Sequence, residues 1–182
     1  MRIISGNLKG RRLNTPRNNK IRPTTDKVKE SIFSMLMPYI EDAVVIDLFS
    51  GTGNLGLEAI SRGAKHCYFG DNERESLLLT KDNIIYCKVE NQATIISGEF
   101  ERVLERISEK ADVIFLDPPY KAGLLERCLK KIEELSILSE DGVIVIEHGK
   151  REILEDQIGI FTKMKEKRYG TILVSVFNIS KK

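Results

Sequence analysis

The chain has 182 residues, 41% of them hydrophobic and 31% charged, which bounds it to one globular domain with a small appendage, burying about 70% of its unfolded surface. Three scattered cysteines (Cys67, Cys87, Cys128) and two histidines (His66, His148) lack paired ligand spacing, so neither a metal site nor a disulfide framework is expected, and the absence of any long apolar stretch points to a cytoplasmic protein without a membrane span. The net charge of +2 hides a split: residues 1–30 carry nine basic residues against two acids, a balance of +7 that leaves −5 for the rest, which fits a nucleic-acid partner or a solvated lysine-rich surface.

In chain order, the short apolar runs at 2–5 and 8–13, broken by Gly6 and Gly10, predict a small β-hairpin lying against the main body. Residues 14–22 are polar and basic with Pro16 and read as a loop. Pro23-Thr24-Thr25-Asp26 opens a helix with a Thr cap, an acid in its first turn, and Val28, Ile32, Met35, Leu36 and Tyr39 on one face, ending near Pro38. From residue 43 strands (43–48, 66–70, 94–97, 113–116, 143–146) alternate with helices (54–62, 73–87, 99–109, 122–135), and 150–158 reads as a further short helix. Two closing strands, 160–167 and 171–178, are joined tightly at Tyr169-Gly170 and must run antiparallel. The expected architecture is α/β and Rossmann-like: a seven-stranded, mostly parallel sheet with an antiparallel C-terminal hairpin strand. Residues 1–40 form a basic hairpin-plus-helix extension, and 41–182 the main domain.

The stretch 112–120 carries the most specific chemistry. Four apolar residues, Val113 to Leu116 in number order, end abruptly in Asp117-Pro118-Pro119-Tyr120. Proline cannot donate to a ladder, so the pair drives the chain out of the sheet. A carboxylate, a free carbonyl and an aromatic ring are left on the carboxyl edge, where ligands bind in open α/β sheets. A plain Pro-Pro turn with a surface Asp is the simpler reading.

Upstream, Asp47-Leu48-Phe49-Ser50-Gly51-Thr52-Gly53-Asn54-Leu55-Gly56 leads from the first strand into a helix. Its glycines match G-x-G-x-x-G, and Asp71 ends the next strand, as in a dinucleotide site. A nicotinamide-dependent oxidoreductase is therefore one reading. Asp47 argues against it, because pyrophosphate needs room and no extra negative charge there. The cationic sulfonium of S-adenosylmethionine instead favours nearby carboxylates. On this reading Asp47 and the loop Gly51 to Gly53 hold the methionyl part and Asp71 the ribose hydroxyls, with Phe49, Ser50 and Asn72 as further cofactor contacts. Asp71 follows a strand with no structural need for charge. Gly98, Glu99 and Phe100 flank the adenine, Glu99 being equally an ordinary acid at a helix N-terminus.

An exocyclic base amine is a poor nucleophile because its lone pair is delocalised into the ring. Hydrogen bonds from that amine to the Asp117 carboxylate and the Pro118 carbonyl would aim the lone pair at the methyl group. Tyr120 would stack on a base flipped out of its helix.

These residues carry a resemblance. Arg2-Ile3-Ile4-Ser5-Gly6 with Gly10-Arg11, Arg22-Pro23-Thr24 before Glu30 and Phe33, the glycine loop with Leu55-Gly56-Leu57-Glu58-Ala59, Ser61-Arg62-Gly63-Ala64, and Asp117-Pro118-Pro119-Tyr120 together resemble the RsmD-like family of bacterial 16S rRNA guanine-N(2) methyltransferases. The likeness runs essentially the whole length. It implies a class I S-adenosylmethionine-dependent methyltransferase sheet and transfer to the 2-amino group of one guanine in 16S rRNA, on an assembling small ribosomal subunit. It also places Arg22, Thr24 and Tyr169-Gly170 near the pocket mouth, although Thr24 can equally be a helix cap and Tyr169-Gly170 a hairpin turn. Arg2, Lys9, Arg11 and Arg12 complete the expected RNA contacts. Asp71 and Glu99 depart from the family's usual Glu and Asp, which changes their reach. His148 reads as structural. The enzyme is expected to be a monomer, without metal, and to recognise the shape of a ribosomal particle more than naked RNA. Other targets that an acid-Pro-Pro-aromatic turn can serve are adenine amines in nucleic acid and a protein glutamine amide.

Overall fold

A computed structural model describes residues 1–17 and 24–181. Arg22, Lys20 and Pro23 lie outside the described residues. Helices and strands follow in the order α1 (Asp26–Ile40), β1 (Val44–Asp47), α2 (Asn54–Ser61), β2 (His66–Asp71), α3 (Arg74–Cys87), β3 (Ala93–Ser97), α4 (Phe100–Glu105), β4 (Ala111–Leu116), α5 (Leu124–Leu135), β5 (Leu138–Gly149), β6 (Gln157–Ile158), β7 (Phe161–Tyr169) and β8 (Ile172–Ile179).

They build one eight-stranded sheet ordered β3-β2-β1-β4-β5-β8-β7-β6. The first five strands run parallel, and β8, β7 and β6 join antiparallel. The eighth strand is the two-residue β6, in the stretch where a helix over 150–158 was expected. Gln157 and Ile158 pair with Thr162 and Phe161 there; pairing with β7 took precedence over a weak helical pattern.

The sheet is covered on both faces, which is why its central strands read as unbroken apolar runs. Alternate residues serve opposite cores. Val45, Phe115, Val143 and Val145 join Ile32, Phe33 and Leu36 of α1, Leu57 of α2 and Ile84 of α3. Ile46, Ile114, Ile144 and Phe177 join Val103 and Leu104 of α4 and Leu125, Leu129 and Ile132 of α5.

Two helices depart from expectation. Pro38 lies inside the last turn of α1, which continues to Ile40, and α4 stops at Glu105, with Arg106 capping. The cap of α1 is Thr25, whose hydroxyl accepts from Val28 N at 3.3 Å.

The N-terminal segment makes one antiparallel bridge, Arg2 to Arg12, instead of a full hairpin ladder. It also bonds across itself, Ile3 N donating to Arg11 O at 2.9 Å, Gly10 N to Ile3 O at 2.8 Å and Leu13 N to Met1 O at 3.1 Å, and further bonds tie it to α2. Ile4 N and Ser5 N donate to the Glu58 carboxylate, Asn7 N donates to Ser61 O at 2.8 Å, and Leu8 N donates to Ser61 Oγ at 2.9 Å. Ile3, Leu8 and Leu13 enter the same core as α1 and α2. Glu58 is fully buried and meets the buried Lys29 Nζ at 3.2 Å and Arg62 Nη2 at 3.0 Å. Lys29 Nζ also donates to Arg2 O and to Asn54 Oδ1 at 2.7 Å.

Candidate active site

The glycine loop leaves β1 still tied to its neighbours: Leu48 N donates to Phe115 O at 3.2 Å and Ser50 N to Gly70 O at 2.9 Å. Gly53, at φ 83°, then turns the chain into α2, a conformation open to glycine at little cost. Gly56 serves a different need. A Cβ there would stand 2.3 Å from Phe69 Cε1 and 2.7 Å from Cys67 Sγ, so its smallness lets α2 lie directly on β2. The loop is supported from α3, where Thr80 Oγ1 donates to Gly51 O at 2.9 Å and Asn83 Nδ2 to Thr52 O at 2.8 Å.

Asp71, at the end of β2, does have a local structural task. Its Oδ2 accepts from Gly51 N and its Oδ1 from Glu73 N, both at 3.0 Å. It fixes the loop and the start of α3, and each oxygen keeps a second lone pair for a ligand hydroxyl. Asn72 Nδ2 donates to Glu99 Oε1 at 3.0 Å. Glu99 occupies the N-cap position of α4 but makes no side-chain cap bond; its carboxylate is turned to Asn72. Gly98 N donates to Asp71 O at 3.0 Å, joining the two strand ends. Phe49 and Phe100 stand with ring centroids 6.4 Å apart, and Phe100 is buried in the second core.

Three parallel strands deliver acids to one rim. Asp47 is paired in register with Phe115 of β4, two residues short of Asp117. Leu116 is paired with Ile146, so Asp117 and Glu147 come next, side by side. Asp47 is 2% exposed and its Oδ2 accepts from Gly56 N at 3.0 Å. Burial pushes its carboxyl up to about 7 against that hydrogen bond, with help from the nearby Asp71 charge. Asp117 is pushed well above the usual carboxylate range, first by burial, then by Glu147 and Asp47. Burial raises Glu147 too, opposed by the Thr24 hydroxyl, which donates to Glu147 Oε2 at 2.9 Å. Thr24 is thus a carboxylate partner rather than the helix cap.

Pro118 is half-buried and Pro119 exposed. Tyr120 is 72% exposed, with its Cε2 only 3.5 Å from where a Cβ on Gly149 would lie. Its open ring therefore stands beside the end of β5. Tyr169 packs against the first core and shares a hydrogen bond with Ser31 of α1. Of the basic arm, Arg2 Nε meets Asp26 at 3.1 Å and Arg11 Nη1 donates to Tyr86 O at 3.0 Å; Lys9 and Arg12 are exposed. His148 is buried, with Nδ1 at 2.8 Å from Glu152 O and Nε2 at 2.8 Å from Ser175 Oγ, a structural pairing on both ring nitrogens.

Among the described residues, none of Asp47, Asp71, Asp117 and Glu147 forms an ion pair. A rim of carboxylates without a counter-charge, Asp47, Asp117 and Glu147 among them raised, suits a cationic ligand and opposes a pyrophosphate, because a cation would return those three acids to their charged form. The cradle fits the sulfonium cofactor by that test. A separate groove of about 540 Å³, between α3 and the edge strand β3 and lined by Leu77, Leu78, Ile84, Ile85 and Ile95, contains none of these acids.

Glu147 escaped the sequence reading, although a signal was present. Val-Val-Ile-Asp, Val-Ile-Phe-Leu-Asp and Val-Ile-Val-Ile-Glu each run apolar and stop at an acid, and the third belongs with the first two.

Comparison with known proteins identifies the family. The family model described as "Conserved hypothetical protein 95" matches residues 1–178. YlbH of Bacillus subtilis, provisionally named an rRNA methyltransferase, is 39% identical over 180 residues, covering 97% of this chain and 98% of its own. Ribosomal RNA small subunit methyltransferase D of Haemophilus influenzae is 35% identical over 176 residues, covering 94% of this chain and 90% of its own. The solved structure of yhhF from Escherichia coli, provisionally called a methyltransferase, superposes with a TM-score of 0.89 at 28% identity, over 100% of this chain and 99% of that one. With its acids on the carboxyl rim, its glycine loop and these matches along nearly all of its length, the chain belongs to the Conserved hypothetical protein 95 family, the family of the ribosomal RNA small subunit methyltransferases D.

Proposed function

We propose that this chain transfers a methyl group from S-adenosylmethionine to the exocyclic 2-amino nitrogen of one guanine in 16S rRNA, acting on an assembling small ribosomal subunit. The observation that carries the reading is Asp117 at the end of β4, beside the glycine loop, in a chain 35% identical to a ribosomal RNA small subunit methyltransferase D. When bound, the cofactor supplies a methyl group on a positively charged sulfur that leaves as a neutral thioether.

The chain's own residues do the rest. Asp47 and the loop 51–53 hold the cationic end, Asp71 takes the ribose hydroxyls, and Asn72 with Glu99 lies toward the adenine. The Asp117 carboxylate and the Pro118 carbonyl accept the two amine N–H bonds, so the nitrogen lone pair stands out of the base plane toward the methyl group. Tyr120, exposed beside the end of β5, stacks on the flipped base. As the N–CH₃ bond forms, the nitrogen becomes acidic and its proton passes to Asp117 and on to water. Positioning and fixed charge supply most of the rate. Lys9 and Arg12, both exposed, contact the phosphates.

The test is labelled methyl transfer to small subunits from a strain lacking this gene, followed by mass mapping of the product. One N2-methylguanine is expected. A methyl group on an adenine, on protein, or on nothing overturns the proposal.

A further inference from the structure

The proposed chemistry explains how an amine is held but not how guanine is told from another base bearing a 2-amino group. Guanine presents two neighbouring donors, the N1–H and the 2-amino group, and a carboxylate is the side chain that accepts both kinds. In 2,6-diaminopurine the 2-amino group is the same, but N1 carries a lone pair in place of a proton.

Glu147 stands where that difference can be read. It follows Ile146, the register partner of Leu116, which sets it next to Asp117 on the carboxyl rim. On its other side it pairs with Val174 of β8, an apolar and fully buried neighbour. Its Oε2 is held by the Thr24 hydroxyl at 2.9 Å, which fixes the carboxylate in one pose, and among the described residues no side chain takes its other oxygen. The Tyr120 ring lies over Gly149, two residues further along the same strand. A base stacked on that ring would have Asp117 and Glu147 within reach of its edge.

We propose that Glu147 is the specificity-determining residue of the site: its free carboxylate oxygen accepts the guanine N1–H while Asp117 and Pro118 hold the adjacent 2-amino group. The inference rests on the guanine reading above and adds the residue that enforces it. A purine with an unprotonated N1 would set a lone pair against the carboxylate, an unpaired and repulsive contact in a partly buried site.

The experiment uses small subunits reconstituted around a ligated rRNA carrying either guanosine or 2,6-diaminopurine riboside at the mapped position. Wild-type protein is expected to favour guanosine in kcat/KM by roughly 10- to 100-fold. Glu147→Gln keeps the size of the side chain and can donate an amide N–H to the bare N1, so it should raise activity on diaminopurine and bring the two bases to within about threefold. Glu147→Ala can do neither, and should equalise the bases by lowering guanosine turnover alone. Both variants remove the same charge, so their cofactor affinities, measured by calorimetry, should match each other, and a difference between them in base preference then belongs to the base contact. A preference in Glu147→Gln equal to that of wild type would overturn the role of Glu147 while leaving guanine transfer standing. Wild-type protein that methylates no guanine would overturn both.

Discussion

Lys29 and Glu58 are almost completely buried, and so is Asp47, yet the two places handle charge in opposite ways. Around Glu58 every charge is answered: by Lys29, by Arg62, and by the N–H groups of Ile4 and Ser5. At the sheet's carboxyl rim Asp47, Asp117 and Glu147 stand near one another with hydroxyl and amide donors but, among the described residues, no cation. The first arrangement fastens the N-terminal segment to α2. The second gathers acids without a counter-charge, which a cationic ligand would relieve. Buried acids in one small protein thus divide into fasteners and receptors, and the presence of a counter-charge tells them apart.

That division can be broken experimentally. The largest effect is expected at the fastener. Lys29→Met leaves Glu58 with a buried charge short of one partner and should cost about 3–5 kcal/mol in urea unfolding. At the rim, Asp117→Ala should hardly change the urea midpoint yet lower single-turnover methyl transfer by roughly 10²- to 10³-fold, with cofactor affinity nearly intact. Weak cofactor binding with normal turnover would reverse its assigned role.

A smaller effect sharpens the contrast through pH. Burial pushes the Asp47 carboxyl up to about 7 in the folded chain, against 3.8 for an ordinary aspartate. The folded state therefore keeps a proton that the unfolded state has released, and stability falls as pH rises between those values. Its slope reaches about −1.4 kcal/mol per pH unit. Asp47→Asn should flatten that slope while weakening the cofactor, and wild-type cofactor affinity should rise with pH through 7 as the acid gives up its proton; calorimetry in buffers of different ionisation heat reads both. The smallest effect belongs to the exposed arm. Lys9→Ala and Arg12→Ala should each reduce the salt slope of subunit binding by roughly one unit, with no change in unfolding midpoint.

Much of this was readable from the chain. Parallel strands buried on both faces leave uninterrupted apolar runs, and the acid-Pro-Pro-Tyr turn and the glycine loop are local motifs whose places follow from the strands they end. What stayed hidden depends on register between distant segments. Glu147 sits in a stretch with no motif of its own, and only the pairing of Leu116 with Ile146 sets it beside Asp117. Lys29, Glu58 and Arg62 look like the solvated sides of two helices until the N-terminal segment is laid over them. Asp71 seemed free of structural duty because the Gly51 amide that it accepts lies twenty residues away. The stretch 150–158 failed for the opposite reason: its local pattern was weak, and β7 offered backbone partners.

One feature of the sheet bears on how the protein is made. β8 lies between β5 and β7 although it follows both in the chain. While translation proceeds, β5, which carries Glu147 and His148 near its end, has a bare flank until residues 172–179 emerge from the ribosome tunnel. A stalled or shortened nascent chain lacking them would expose that flank as a template for wrong strand pairing. The carboxyl rim is therefore completed only after every other strand of the sheet has been synthesised, so a product truncated before β8 is expected to call on chaperones and to have no activity.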